Sequence, residues 1–485
     1  MQTITLAMSV DDIIGKVQDA VWGWPLIILI LAAGVWLTVR TGFVQVRHLG
    51  KALKFMVKNE DNGEGEVTSF GALCTALSAT IGTGNIVGVA TAICLGGPGA
   101  LLWMLLAAFF GMATKYSEGF LAIKYREKKD DSHYLGGPFY YIEKGMGSKW
   151  KWLAKLFAVF GICVGLFGIG TFTQINGIAT AVQDFFDPES AHVAFTLFGN
   201  DYTWATVIGG LVVTLCVALV VLGGIQRIAK VSQVIVPFMA ITYVVFALVI
   251  VLGHISAIPA AVKLICQSAF DPQAALGAAT GVTIKLAMQK GIGRGIFSNE
   301  AGLGSAPTAA AKTKDTVRQG LVTMTGTFID TIVICTLTGL SIVVTGAQNA
   351  FVAGSVEGVK ITSRAWQTGL PWNGRFSAFV LMVCLAFFAF TTILGWNYYS
   401  ERCLEYLVGS QKFTKVYRYL YILAVFIGPY LTVAAVWNIA DICNGLMAFP
   451  NLIALFALSG VVGKETRAYF AEKRHDLKAV AQDKK

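Results

Sequence analysis

Charge is scarce in this 485-residue chain. Asp, Glu, Lys and Arg make up 14% of it, where a soluble domain carries about 25%. With 55% hydrophobic residues and a mean hydropathy of +0.65, a soluble globular fold is excluded for most of the length. Spans of ~20 residues leave room for about ten to twelve membrane helices and little else. Metal and disulfide chemistry are poorly supplied too. The nine cysteines are scattered, mostly inside apolar runs (Cys74, Cys94, Cys163, Cys216, Cys335, Cys384). None forms a CxxC pair, so neither zinc nor a disulfide framework is indicated. The five histidines (His48, His133, His192, His254, His475) lie at loops or span ends without ligand spacing and read as surface residues. No Ser/His or HExxH constellation sits in a span and no filter loop repeats, which argues against an intramembrane enzyme or a channel. A basic leader is missing as well. Asp11, Asp12 and Asp19 stand where a cleaved signal would be positive, and the first apolar run is long enough to span.

What is present is a long series of apolar runs. They predict about eleven spans, near 21–40, 68–95, 98–123, 153–182, 203–223, 231–253, 280–308, 317–345, 375–400, 416–434 and 436–462. The run at 280–308 carries Lys285, Lys290 and Arg294 and is kept because a glycine break lies inside it. Pro259 and Pro272 bracket a short outer helix before it. The net charge of +10 invites a nucleic-acid reading, but its distribution follows the positive-inside rule. With the N-terminus outside, 28 of the 38 Lys and Arg fall on the inner side, 5 outside and 5 within spans. The loop 183–202 holds Asp184, Asp187, Glu189 and Asp201 and no Lys or Arg, as an outer loop can. The orientation expected is N-terminus outside and C-terminus cytoplasmic.

Two of the runs are interrupted where an apolar helix should continue: Ala79-Thr80-Ile81-Gly82-Thr83-Gly84-Asn85 and Phe297-Ser298-Asn299-Glu300-Ala301-Gly302-Leu303-Gly304. Unwound backbone at membrane depth is tolerated only inside protein or against a wet cavity. Paired interruptions in two halves of a chain point to a transporter's substrate and ion site. Setting the 21–40 span aside leaves two groups of five, each opening with a broken helix and entering from opposite sides. The expected organisation is therefore an all-α polytopic membrane protein. It has an N-terminal helix and cytoplasmic loop (1–66), a five-helix repeat (67–255), an outer helix with a second, inverted five-helix repeat (256–463), and a basic cytoplasmic tail (464–485).

At the first break, amides of the half-helix after Gly82 and Gly84 suit an anion such as a carboxylate, and carbonyls ending the preceding half suit a hard cation. Asn85 adds a neutral amide. Glu300 and Asp330 are carboxylates within spans, which makes them functional candidates by default. Glu300 also has Arg294 as an available structural partner, whereas Asp330 has no basic residue within a helical turn. Thr391 and Thr392, beside Gly395-Trp396-Asn397, can ligate sodium or bond back to their own helix. Gln174, after Gly165, Gly168 and Gly170, is a buried amide that must find a partner, in substrate or in another helix.

Together these segments resemble the alanine-or-glycine:cation symporter family, the sodium:alanine symporters. The signatures are Ser78-Ala79-Thr80-Ile81-Gly82-Thr83-Gly84-Asn85-Ile86, Gly136-Gly137-Pro138, Gly291 through Ser305 with its Ser298-Asn299-Glu300-Ala301-Gly302-Leu303-Gly304-Ser305 run, and Gly395-Trp396. The likeness runs through nearly the whole chain. It implies a leucine-transporter fold, preceded by one extra helix, and sodium-coupled import of alanine or glycine. It also implies no enzymatic activity and no cofactor beyond sodium as the co-transported ion. Expected partners are the bilayer, sodium and the amino acid, with no nucleic acid and no oligomeric state specified. By likeness to sodium-coupled transporters of that fold, Thr83 and Gly84 would take the substrate carboxylate. The carbonyls of Phe297 and Ser298 would face its ammonium, with Gly302 in the same broken segment and Gln174 nearby. One sodium would meet Thr80, Asn85, Ser298 and Asp330. A second would meet Thr391, Thr392 and the carbonyls of Ser78 and Ile81. Trp396 would line the side-chain pocket. A same-fold transporter of another solute, or a proton-coupled amino-acid carrier, stays open as the alternative. A metal carrier would want soft or carboxylate ligands at the breaks, which their glycines do not offer.

Overall fold

A computed structural model of the chain describes residues 10–57, 69–130, 133–197, 200–272, 282–304, 313–350 and 358–482. Almost all of them are helical. Among the described residues, eight helices are long and apolar enough to cross a membrane: Ile13–Arg40, Gly99–Lys124, Ser148–Phe186, Trp204–Val221, Gly224–Gly253, Thr316–Val344, Gly374–Val408 and Val433–Glu472. Phe70–Thr80 and Gly84–Gly96 form a further, bent pair. The runs expected at 280–308 and 416–434 form shorter helices, Ile284–Asn299 of 16 residues and Thr414–Ile427 of 14. A helix also forms at the place of the two prolines, Ile258–Phe270, with Pro259 in its first turn and Pro272 beyond its end. Proline is tolerated there because that N–H has no intrahelical partner.

Helix ends follow local chemistry. Thr283, Asp315 and Asn373 accept backbone N–H bonds from Leu286, Arg318 and Arg375, each satisfying a donor that the first turn leaves orphaned. The interior is joined through small residues, as helix packing in lipid requires. A Cβ on Gly34 would lie 2.8 Å from Phe110, one on Gly295 3.0 Å from Met104, and one on Gly320 2.8 Å from the Tyr116 carbonyl. The Gly99–Lys124 helix is thus the spine against which the first span, the second broken helix and the Thr316–Thr327 helix are pressed.

Three features depart from the plain span picture. The run at 153–182 is two helices, Lys151–Phe167 and Phe172–Phe186, separated by a turn at Gly168–Thr171. The basic loop after Lys124 and the acidic loop 183–202 each carry a short antiparallel hairpin, Glu127–Asp130 with His133–Leu135 and Val193–Leu197 with Asn200–Thr203. The last helix runs without interruption from Val433 to Gln482, so the span continues directly into the tail. His48, expected at the surface, is half-buried and stacks on Phe470 at 3.6 Å.

Candidate functional site

The first break lies between Thr80 and Gly84, where the helix axis bends by 47°. Asn85 folds its side chain back so that Oδ1 accepts the Gly82 amide at 2.8 Å. The Thr83 amide donates to Gln174 Oε1 at 3.0 Å, and Gln174 Nε2 donates to the Ile169 carbonyl at 3.0 Å. Gln174 thus reaches the break from just past the Gly168–Thr171 turn. Glycine is needed at both positions of the break. A Cβ on Gly82 would sit 2.5 Å from Thr392 Oγ1 and 2.9 Å from Gln174 Oε1, and one on Gly84 would sit 3.0 Å from Ser298 Cα. The two breaks therefore touch at Gly84 and Ser298.

The second broken helix stops at Asn299, where Glu300 takes a left-handed conformation (φ 56°) and Gly302 and Gly304 follow at φ 95° and 74°. Its expected continuation over 305–308, including Ser305 of the signature, lies outside the described residues. Between the breaks sits Asp330, fully buried, in a π-helical stretch from Phe328 to Cys335. Its Oδ1 accepts Asn85 Nδ2 at 2.7 Å, and its Oδ2 accepts Ser298 Oγ at 2.9 Å and Thr331 Oγ1 at 2.7 Å. All three donors are neutral. A carboxylate removed from water carries a desolvation cost that such bonds only partly offset, and a small cation of hard character is what oxygen ligands of this kind complement.

A second oxygen cluster meets the first break at Ile81. Thr392 Oγ1 donates to the Ile81 carbonyl at 3.1 Å and to the Phe388 carbonyl at 3.0 Å. Thr391 Oγ1 also reaches the Phe388 carbonyl at 3.0 Å, but otherwise bonds to its own helix at Phe387 and approaches Met239 Sδ at 3.4 Å. Only Thr392 of the pair touches the break. The hydroxyls of Ser78 and Thr80 are spent within their own helix, on Thr75 and Leu77 carbonyls, so only their carbonyls are left to face an ion. The Phe388 carbonyl, common to both threonines, was not foreseen.

Trp396 is fully buried and donates its indole N–H to Glu300 Oε1 at 2.6 Å, beneath the second break. Arg294 does not pair with Glu300. It forms a bidentate ion pair with Asp441 at 3.0 Å on both arms and stacks over Trp437, which itself lies 4.8 Å from the Phe297 ring. A cavity of about 250 Å³ lined by Val87, Thr173, Gly177 and Trp437 opens beyond that aromatic pair. Toward the Gly136-Gly137-Pro138 turn, the space bounded by Phe139, Gly304 and Trp396 is only about 20 Å³. Gly302 is held by a residue not singled out, Glu118, which accepts its amide at 3.0 Å. Glu118 and Asp441 are carboxylates inside apolar runs, so the rule that flagged Asp330 would have found both.

Comparison with known proteins bears on this geometry. The sequence profile of the Sodium:alanine symporter family matches residues 7–483. An uncharacterized transporter of Haemophilus influenzae is 52% identical over 465 residues, covering 96% of this chain and 97% of that protein. The sodium/alanine symporter AgcS of Methanococcus maripaludis is 44% identical over 477 residues, covering 97% of this chain and 100% of that protein. Among solved structures, the crystal structure of MhsT in complex with L-phenylalanine superposes with a TM-score of 0.52 at 12% identity, over 84% of this chain and 99% of that one. That likeness shows the fold, of the leucine-transporter type.

Proposed function

The chain belongs to the sodium:alanine symporter family, a family of integral membrane transporters and not of enzymes, and on that premise we propose that it imports alanine and glycine together with sodium by alternating access. The observation that carries the reading is the Asp330 cluster, in which one buried carboxylate gathers Asn85 from the first break and Ser298 from the second. A sodium ion seated there ties the two breaks together, so that ion and substrate sites form at the same time. The Thr80 carbonyl adds to that site. A second sodium is taken by Thr392, Thr391 and the carbonyls of Phe388, Ile81 and Ser78.

The substrate carboxylate replaces Gln174 Oε1 at the Thr83 amide, with Gly84 beside it, and the ammonium faces the carbonyls of Phe297 and Ser298. Gly302 shapes the turn below. These contacts are common to all amino acids, so the small size of the substrate is set by bulk, and Phe297 and Trp396 supply it. Overfilling a packed site costs about 1–3 kcal/mol, roughly one to two orders of magnitude in affinity. The 28-to-5 distribution of Lys and Arg supports an outer N-terminus and a cytoplasmic C-terminus. The cavity beyond Trp437 then faces outward.

Uptake of labelled alanine into proteoliposomes tests this reading, with an inward gradient of sodium, of potassium or of protons, and with glycine and leucine as competitors. The expected result is uptake driven by sodium alone, competed by glycine and not by leucine. Uptake driven by protons without sodium would instead make Asp330 a proton carrier. No uptake of alanine or glycine under any gradient would move the protein to another solute.

A further inference from the structure

The two breaks treat their own backbone donors differently. In the second, every amide from Glu300 to Gly304 already has an acceptor within the protein. Glu300 N donates to the Ile296 carbonyl at 2.8 Å, Ala301 N to Asn299 Oδ1 at 2.9 Å, and Leu303 N to the Glu300 carbonyl at 3.2 Å. Gly302 N and Gly304 N both donate to Glu118 Oε1 at 3.0 Å. Asn451 secures the arrangement. Its Nδ2 donates to Glu118 Oε1 and to the Gly302 carbonyl, each at 2.8 Å, while its Oδ1 accepts the Tyr141 hydroxyl. Glu118 is fully buried, with Lys115 Nζ 3.5 Å from its other oxygen. In the first break the Thr83 amide is met instead by Gln174, a neutral side chain from another helix.

A pair of converging backbone N–H groups at a helix interruption is an anion seat. At the second break the anion is part of the chain. We propose that Glu118 is a positioning residue for transport. As the resident anion of the second break, it consumes that break's donors and repels an incoming carboxylate, so a substrate's carboxylate is directed to the Thr83 amide and its ammonium toward Phe297 and Ser298. The assignment rests on the substrate being a zwitterionic amino acid. It gives the carboxylate and the ammonium separate places, where two equivalent breaks would accept either orientation.

Glu118→Ala and Glu118→Gln, reconstituted in proteoliposomes, test it through sodium-driven alanine uptake with added formate or propionate. Loss of charge-assisted hydrogen bonds should lower maximal uptake of Glu118→Ala by about ten- to hundredfold. Formate, small enough for the vacated seat, should restore part of it and raise that variant's melting temperature but not the wild type's. Propionate, a carboxylate without the amine, should compete with alanine in Glu118→Ala and not in the wild type. Glu118→Gln should be intermediate and indifferent to formate. Wild-type kinetics in Glu118→Ala would overturn the proposal, as would full activity of Glu118→Gln alongside a Glu118→Ala that ignores formate. Absence of propionate competition in Glu118→Ala would overturn the directing role. If Glu118→Ala fails to insert, unchanged uptake by Glu118→Gln overturns it alone. Should the wild type not transport alanine, the substrate reading fails separately, and an unchanged melting temperature of Glu118→Ala in formate then counts against the resident anion.

Discussion

At Asp330 three neutral donors converge on a carboxylate with no solvent exposure. An amide in its place keeps the shape but removes the charge that a sodium ion would meet. Asp330→Asn should therefore raise the sodium concentration for half-maximal alanine uptake by about tenfold or more, the scale of one charge-assisted contact. A sodium titration of uptake reads this, and an unchanged response would reduce Asp330 to a structural polar group. The two adjacent threonines are separable in the same assay. Because only Thr392 bonds to the Ile81 carbonyl, Thr392→Val should weaken sodium activation more than Thr391→Val, whose hydroxyl is turned to its own helix and Met239. Equal effects would contradict that division. Trp396 carries the selectivity argument: Trp396→Ala should let serine, valine or leucine compete with alanine. Loss of stability or rate with the ranking of competitors unchanged would assign Trp396 to holding Glu300 in place instead.

The helices explain which of these residues were visible in advance. Glycines and carboxylates are costly in an apolar helix, so Gly82, Gly84, Gly302, Asp330 and Glu300 announced themselves. The partner of Glu300 did not. Arg294, six residues away in sequence, is held by Asp441 from the last helix, and no local spacing predicts a contact across 147 residues. The Phe388 carbonyl is backbone and leaves no mark in composition. The Gly168–Thr171 turn was hidden because hydropathy averages over it, although the glycines clustered at and just before it, Gly165, Gly168 and Gly170, were the signal. Close helix approach makes its own prediction. A Cβ on Gly395 would lie 2.8 Å from the Ala79 backbone nitrogen, whereas one on Gly460 meets nothing within 4 Å. Gly395→Ala should lower the melting temperature of the purified protein and its uptake, at a cost of about 1–3 kcal/mol. Gly460→Ala should leave both near wild type, and indistinguishable variants would mean that the helix backing the first break yields freely.

Across the whole molecule, scarcity of charge dictated the membrane and the positions of the broken helices dictated the architecture. The leucine-transporter-type path is shared with a protein only 12% identical, so it rests on helix lengths, breaks and small-residue contacts more than on particular side chains. What the molecule adds is a meeting of two breaks through Gly84, Ser298, Asn85 and Asp330, and under the proposed function that meeting would make ion and amino acid mutually dependent. Such coupling is reciprocal: if sodium strengthens alanine binding, alanine strengthens sodium binding by the same factor. Equilibrium binding of labelled alanine to the purified protein, in sodium and in potassium at equal ionic strength, tests this most directly because no transport step intervenes. Affinity should be at least about tenfold higher in sodium, a coupling of about 1.4 kcal/mol or more, and the difference should be lost in Asp330→Asn. Equal affinity for alanine in the two salts would contradict it.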